Sequence, residues 1–154
     1  MSVTEQNQNG EIRREYPRQP LIGVGAVVVD RGRVLLVKRG KAPLLGEWSI
    51  PGGLLELGET VQAATEREAF EETGLVVRAT VLLGVFDRIV AGEGGGTMYH
   101  YVLVDFLCEK LSGELRAAGD AVEVGWFTPA EVEMLPLPAD TKHVIELGIA
   151  KSEF

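Results

Sequence analysis

Apolar positions along the chain fall into runs of two different spacings. Leu21–Val29 is a nearly unbroken, β-branched stretch, which predicts a buried strand. Asp30-Arg31-Gly32 punctuates it, and Arg33–Lys38 returns as a second strand. Arg39–Glu47, broken by Gly40, Pro43 and Gly46, reads as a loop, and Trp48–Ile50 as a short extended piece ended by Pro51-Gly52-Gly53. From Glu59 or Thr60 to Thr73 the pattern predicts a helix, stopped by Gly74 in the left-handed conformation. Phe70 is the one large aromatic of that helix and is expected to anchor it to the core. Leu75–Phe86 reads as extended, Ala91–Gly96 as a mobile glycine loop, and Thr97–Glu109 as a long strand before a turn at Ser112-Gly113. Val122–Phe127 is a last strand. Thr128, Pro129 and Glu131 then form a capping-box pattern that opens a helix. Pro136 and Pro138 break it, and Ala139–Ala150 is a final helix. Residues 1–20 lack periodicity and are expected to be a mobile lead-in to one domain spanning 21–154, ordered near Tyr16 if anywhere. Mixed strands with few helices predict an α/β fold, with helices packed on the faces of a mixed sheet.

Composition narrows the function classes. At 154 residues, 45% apolar and 25% charged, the chain has the means to fold as one ordinary domain. Its 15 lysines and arginines against 23 acids give a formal charge of −8, which argues against a nucleic-acid backbone as the main partner. Cys108 is the single cysteine, so no internal disulfide forms, and its apolar surroundings mark it as a small buried hydrophobe. With one cysteine and two histidines, His100 and His143, a Cys/His structural zinc site is disfavoured. No run is long and apolar enough to span a membrane, and the polar first residues are no signal peptide, so the expected location is cytoplasmic.

The acid is concentrated. Gly53 to Leu75 holds six glutamates (Glu56, Glu59, Glu66, Glu68, Glu71, Glu72) and one arginine, Arg67. Glu68, Glu71 and Glu72 share one face of the expected helix, with no lysine four residues on to relieve them. A solvated face usually mixes signs; this one does not, and it follows a glycine-rich loop. Carboxylates so placed suit a hard divalent cation such as Mg²⁺, whose shell is completed by phosphate oxygens and water.

The stretch Gly53-x5-Glu59-x7-Arg67-Glu68-Ala69-Phe70-Glu71-Glu72-Thr73-Gly74-Leu75 resembles the signature of the Nudix (MutT-like) hydrolases, with Ala69 small for its apolar position. The likeness extends to Leu35–Arg39 with Trp48–Gly53 before it, and to Glu123–Phe127 after it. It implies a Nudix-type α/β/α sandwich with a mixed sheet. It also implies hydrolysis of a nucleoside diphosphate linked to another group, by water that Mg²⁺ activates, with Mn²⁺ as a substitute. Glu68, Glu71 and Glu72 match the metal-ligand positions, and the carbonyl of Gly53 can join them. Glu59 and Arg67 match positions that hold the loop and helix together. The general base would be a box glutamate or a later carboxylate: Glu93, Asp120 or Glu123.

The substrate is less sharply marked. Arg39 is expected to grip phosphate. Gly52 and Gly53 allow a phosphate close to the backbone. Arg88 and Tyr99, with His100 and Tyr101, flank the glycine loop where a base or sugar could lie, although neighbours on a strand face opposite sides. Trp48 and Trp126 are expected in the core. The run Gly84–Arg88 through Tyr99–Cys108 resembles the ADP-ribose pyrophosphatase branch, so ADP-ribose or a nucleoside-diphosphate sugar is the first reading. A (d)NTP pyrophosphohydrolase is the second, and a catalytically silent nucleotide-binding module the third; RNA decapping is set against by the charge. A kinase or dehydrogenase is disfavoured, because no P-loop occurs and Gly23-Val24-Gly25 lacks the third glycine of a dinucleotide fingerprint. Relatives imply a possible homodimer.

Overall fold

A computed structural model describes residues 12–41 and 45–153. The expected lead-in therefore lies partly outside the described residues, as does Pro43. The described part of that lead-in is pinned at Tyr16, whose amide donates to the Met98 carbonyl at 2.8 Å and whose ring packs over Gly92 and Gly96.

The chain runs β1 (Leu21–Asp30), β2 (Arg33–Arg39), β3 (Trp48–Ser49), β4 (Gly52–Leu54), α1 (Val61–Thr73), β5 (Leu75–Ala91), β6 (Thr97–Gly113), β7 (Ala121–Phe127), α2 (Pro129–Met134) and α3 (Ala139–Ser152). The sheet order is β3-β2-β1-β6-β5, with β4 added on β1 and β7 on β2. The pairing of β1 with β6 is parallel, from Leu21↔Tyr101 to Val28↔Cys108, and the other pairs are antiparallel. β1 thus joins the two halves of a mixed sheet.

Side chains alternate across β1, and each face receives its own core. Ala26 and Val28 meet Leu35, Ala69, Leu75, Val77, Phe106 and Cys108 on the α1 side. Val27 meets Val34, Leu36, Ile50, Val132, Leu137, Val144 and Ile145 on the side of α2 and α3. This is the expected sandwich, a sheet covered by helices on both faces. Cys108 is buried as expected. Trp48 packs edge-on to Phe127 at 4.9 Å, and Trp126 packs against the α1-side core. Among the described residues, no helix is long and apolar enough to cross a membrane.

Two departures from the sequence expectation bear on the site. β5 and β6 are longer, because each backbone completes the other as far as Ala91↔Thr97 at one end and Leu75↔Gly113 at the other. The expected glycine loop shrinks to a turn, closed by the Gly92 amide donating to the Gly96 carbonyl at 2.7 Å. The second difference is Phe70, which is 48% exposed and anchors nothing. The buried face of α1 is Ala64, Thr65, Ala69, Glu72 and Thr73. Small side chains let the helix lie close on the sheet, and that brings Glu72 inward while turning Phe70 out. The ends of α1 follow the expected chemistry. Thr60 accepts from the Ala63 amide at 3.1 Å, and Gly74 has φ 76°, where a Cβ would strike the Glu114 carbonyl.

Candidate active site

Glu59, Arg67, Glu68, Glu71 and Glu72 come together where α1 passes the Gly52-Gly53 strand. Arg67 is the hub. Its guanidinium donates to Glu59 Oε1 at 2.6 Å and Oε2 at 3.0 Å, to Glu68 Oε1 at 2.8 Å, to Glu71 Oε2 at 3.2 Å and to the Leu54 carbonyl at 3.1 Å. Glu59 also accepts from the Glu56 amide at 2.8 Å, so one carboxylate fixes both the arginine and the loop before the helix. The Arg67 hydrogen bond holds the Glu59 carboxyl below its usual range, and the same bond pushes the guanidinium up. No lysine stands four residues on to relieve the glutamate face; Arg67 relieves it from within.

Glu72 and Glu68 are the desolvated members. Glu72 is 3% exposed, and burial pushes its carboxyl up to about 7, opposed by the hydrogen bond from the Gly52 amide at 2.9 Å. Burial also raises Glu68, with the Arg67 hydrogen bond acting against it. The Glu68 carboxylate packs so tightly on Gly53 that no Cβ would fit there. Each of these two carboxyls feels the charge of Asp120. Glu71 is more exposed and held by Arg67.

Among the described residues, no three Asp, Glu, His or Cys side chains are gathered closely enough to hold an ion as they stand. Arg67 Nη1 lies between Glu68 and Glu71, where a cation would have to share them. The donor chemistry nevertheless fits a hard divalent ion. It is all oxygen, one carboxylate (Glu72) is buried and another (Glu68) half-buried, both are raised, and a side-chain-free backbone at Gly53 lies beside them.

Gly52 and Gly53 also line a cleft of about 100 Å³ that opens between the sheet and the start of α3. Its floor is Gly23 and Gly25 of β1, its walls include Ile50, Leu54, Phe86, Leu103 and Val144, and Arg14, Arg39, Arg88, Asp105 and Asp140 supply its charges. Arg39 lies on this cleft and its charge reaches Glu72. Arg88 also lies on it, held by Asp140 Oδ2 at 2.6 Å. Tyr99 does not line the cleft. One step further along β6, it stacks on Tyr101 at 6.2 Å in a buried cluster with Leu21 and Leu54, and Tyr101 takes the place expected of it. Of the later carboxylates, Asp120 lies near the glutamates and pairs with Lys41 at 3.2 Å. Glu123 on β7 pairs with Lys38 at 3.8 Å, and Glu93 sits in the turn at the end of β5 remote from α1. Sequence reasoning passed over Asp105, Asp140 and the glycine floor. The available signal was Asp105 itself, a lone charge in the apolar run Tyr101–Cys108.

A family model described as the NUDIX domain matches residues 19–147. The chain belongs to the Nudix family. An ADP-ribose pyrophosphatase of Methanocaldococcus jannaschii is 36% identical over 108 residues, covering 70% of this chain and 62% of that protein. A MutT-like protein of Streptomyces ambofaciens is also 36% identical over 108 residues, covering 70% of this chain and 63% of its own length. The chain thus spans under two thirds of these two relatives. A putative 8-oxo-dGTP diphosphatase 2 of Mycobacterium tuberculosis is 37% identical over 132 residues, covering 82% of this chain and 87% of that protein. Among solved structures, a MutT Nudix hydrolase from Burkholderia pseudomallei superposes with a TM-score of 0.69 at 36% identity, over 84% of this chain and 98% of that one. These Nudix structures share the mixed sheet with flanking helices.

Proposed function

We propose that the protein is a Nudix pyrophosphohydrolase that cleaves a nucleoside diphosphate linked to another group. The observation that carries this reading is the junction of Gly52-Gly53, whose backbone touches the buried carboxylate of Glu72 and the half-buried one of Glu68 while also lining the cleft. A substrate in the cleft would bring its diphosphate to those carboxylates. Glu68, Glu71, Glu72 and the Gly53 carbonyl would hold Mg²⁺ or Mn²⁺, which supplies charge neutralisation of the diphosphate and an acidified water. Arg39 would bind phosphate oxygen from the cleft side. Arg67 and Glu59 keep the loop and helix in register, so the carboxylates stay aimed at the glycine pair. Asp120, whose charge acts on both Glu68 and Glu72, is the later carboxylate best placed to take a proton.

ADP-ribose and nucleoside-diphosphate sugars form the first substrate class, as in the archaeal relative's name, and (d)NTPs the second, as in the mycobacterial relative's name. The test is a panel of ADP-ribose, nucleoside-diphosphate sugars, dinucleoside polyphosphates and (d)NTPs with Mg²⁺ or Mn²⁺, read by release of phosphate, pyrophosphate and nucleoside monophosphate. Turnover of at least one compound, abolished by chelation, is expected. Inertness across the panel would favour a nucleotide-binding module.

A further inference from the structure

The strip of β6 that lines the cleft reads Tyr101, Leu103, Asp105, alternate residues on one sheet face. Two polar groups on this strip lack hydrogen-bond partners among the described residues. The Tyr101 hydroxyl is buried without a hydrogen bond. Asp105 is 6% exposed, and among the described residues its carboxyl has neither a hydrogen bond nor an ion pair. The nearby cation, Arg88, is already held by Asp140 at 2.6 Å. Gly25 leaves no room for a Cβ against the Asp105 carboxyl, so the glycine floor is what admits it. Unpartnered polar groups at a cleft cost stability unless water or a ligand completes them.

We infer that Asp105 selects the non-phosphate part of the substrate by accepting hydrogen bonds from two adjacent donors on a ring held in the cleft. The inference rests on the pyrophosphohydrolase reading and deepens it. An ionised carboxylate offers acceptors only, side by side, and its complement is a donor pair. The placement suits a nucleotide. Gly25 is the register partner of both Gly52 and Asp105, so about two strand spacings, roughly 10 Å, separate the residue that touches Glu72 from Asp105. The apolar walls at Ile50, Phe86, Leu103 and Val144 suit the faces of a ring. Two sources carry the donor pair: the N1–H and 2-amino edge of a guanine-type base, and the cis-diol of a ribose. An adenine edge presents one donor beside one acceptor and is rejected.

Asp105→Asn keeps the size and replaces one acceptor by a donor. Its kcat and KM are compared with wild type on dGTP, dITP, dATP and ADP-ribose. For a guanine edge, the dGTP-to-dITP ratio of kcat/KM falls about tenfold or more in the variant, chiefly through KM. For a ribose diol, ADP-ribose loses by that factor relative to dGTP. An equal change on every substrate overturns the inference and leaves the activity standing. If wild type turns over none of the four, GMP, AMP and ribose 5-phosphate are titrated calorimetrically into both metal-free proteins. Tenfold weaker binding of one of them by the variant supports the inference, and equal affinity or no binding by either protein overturns it. Thermal melts of both proteins separate a binding defect from unfolding.

Discussion

Gly52 donates its amide hydrogen to Glu72 Oε1 across 2.9 Å, tying the strand that lines the cleft to the one buried glutamate of α1. Glu72→Gln keeps the acceptor for that bond and removes the charge. The expected outcome is a loss of roughly a hundredfold or more in kcat with the melting temperature unchanged or raised. Steady-state kinetics beside calorimetric melting checks it, and unchanged turnover would sink the assignment of Glu72 as a ligand.

The same residue makes metal binding pH-dependent. In the metal-free protein burial raises Glu72 to about 7, so the carboxyl is largely protonated below that pH. A cation needs the carboxylate, so Mg²⁺ affinity is expected to rise with pH through about 7 and binding at pH 6.5 to release protons. Calorimetric titrations in two buffers of different ionisation enthalpy measure that release directly. Glu72→Gln should abolish the buffer dependence.

Asp105 links stability to pH in the opposite direction to an ordinary paired carboxylate. Burial raises its folded-state value to about 6, opposed by Arg88, against 3.8 for the free side chain. Its contribution is therefore fully present below about pH 4 and is lost as pH rises through about 6, with an ionisation cost of up to about 3 kcal/mol above that. Asp105→Asn cannot ionise. Relative to wild type, the variant should gain stability between pH 4.5 and pH 7.5, read as a shift of the urea midpoint; parallel behaviour of the two proteins would contradict it.

The inverted packing of α1 predicts an unusual pair of substitutions. Phe70 is half exposed, so Phe70→Ser should change stability by about 0.5 kcal/mol or less. Ala69 is fully buried against the sheet, so Ala69→Leu should cost about 1–3 kcal/mol through overpacking. Denaturant midpoints of the two variants settle which face holds the helix.

What could be read from the residues follows from how local its cause was. The strands of β1 and β2, the caps at Thr60 and Thr128, and the stop at Gly74 depend on neighbours in sequence and appeared where expected. The glutamate spacing was likewise legible. Phe70 misled because hydrophobicity alone set the inward direction, whereas a close helix–sheet approach rewards small residues and tolerates an inward glutamate. Tyr99, Tyr101 and Asp105 lie on one face of one strand. Which of them reaches the cleft depends on the parallel register with β1, and no local pattern encodes that register. The length of β5 and β6 likewise came from mutual pairing.

The parallel pairing of β1 with β6 also makes the cleft a product of long-range contact. The β5–β6 hairpin closes through a short turn, whereas Gly25 meets Asp105 only after the chain between them, including all of α1, has been laid down. Gly25 is the one position that gathers Gly52 from one side and Asp105 from the other. A partly folded chain with its hairpin and helix formed still has no cleft. Ligand binding therefore counts only molecules that have completed the long-range step, and a nucleotide present during refolding would stabilise the finished state without hastening the local ones.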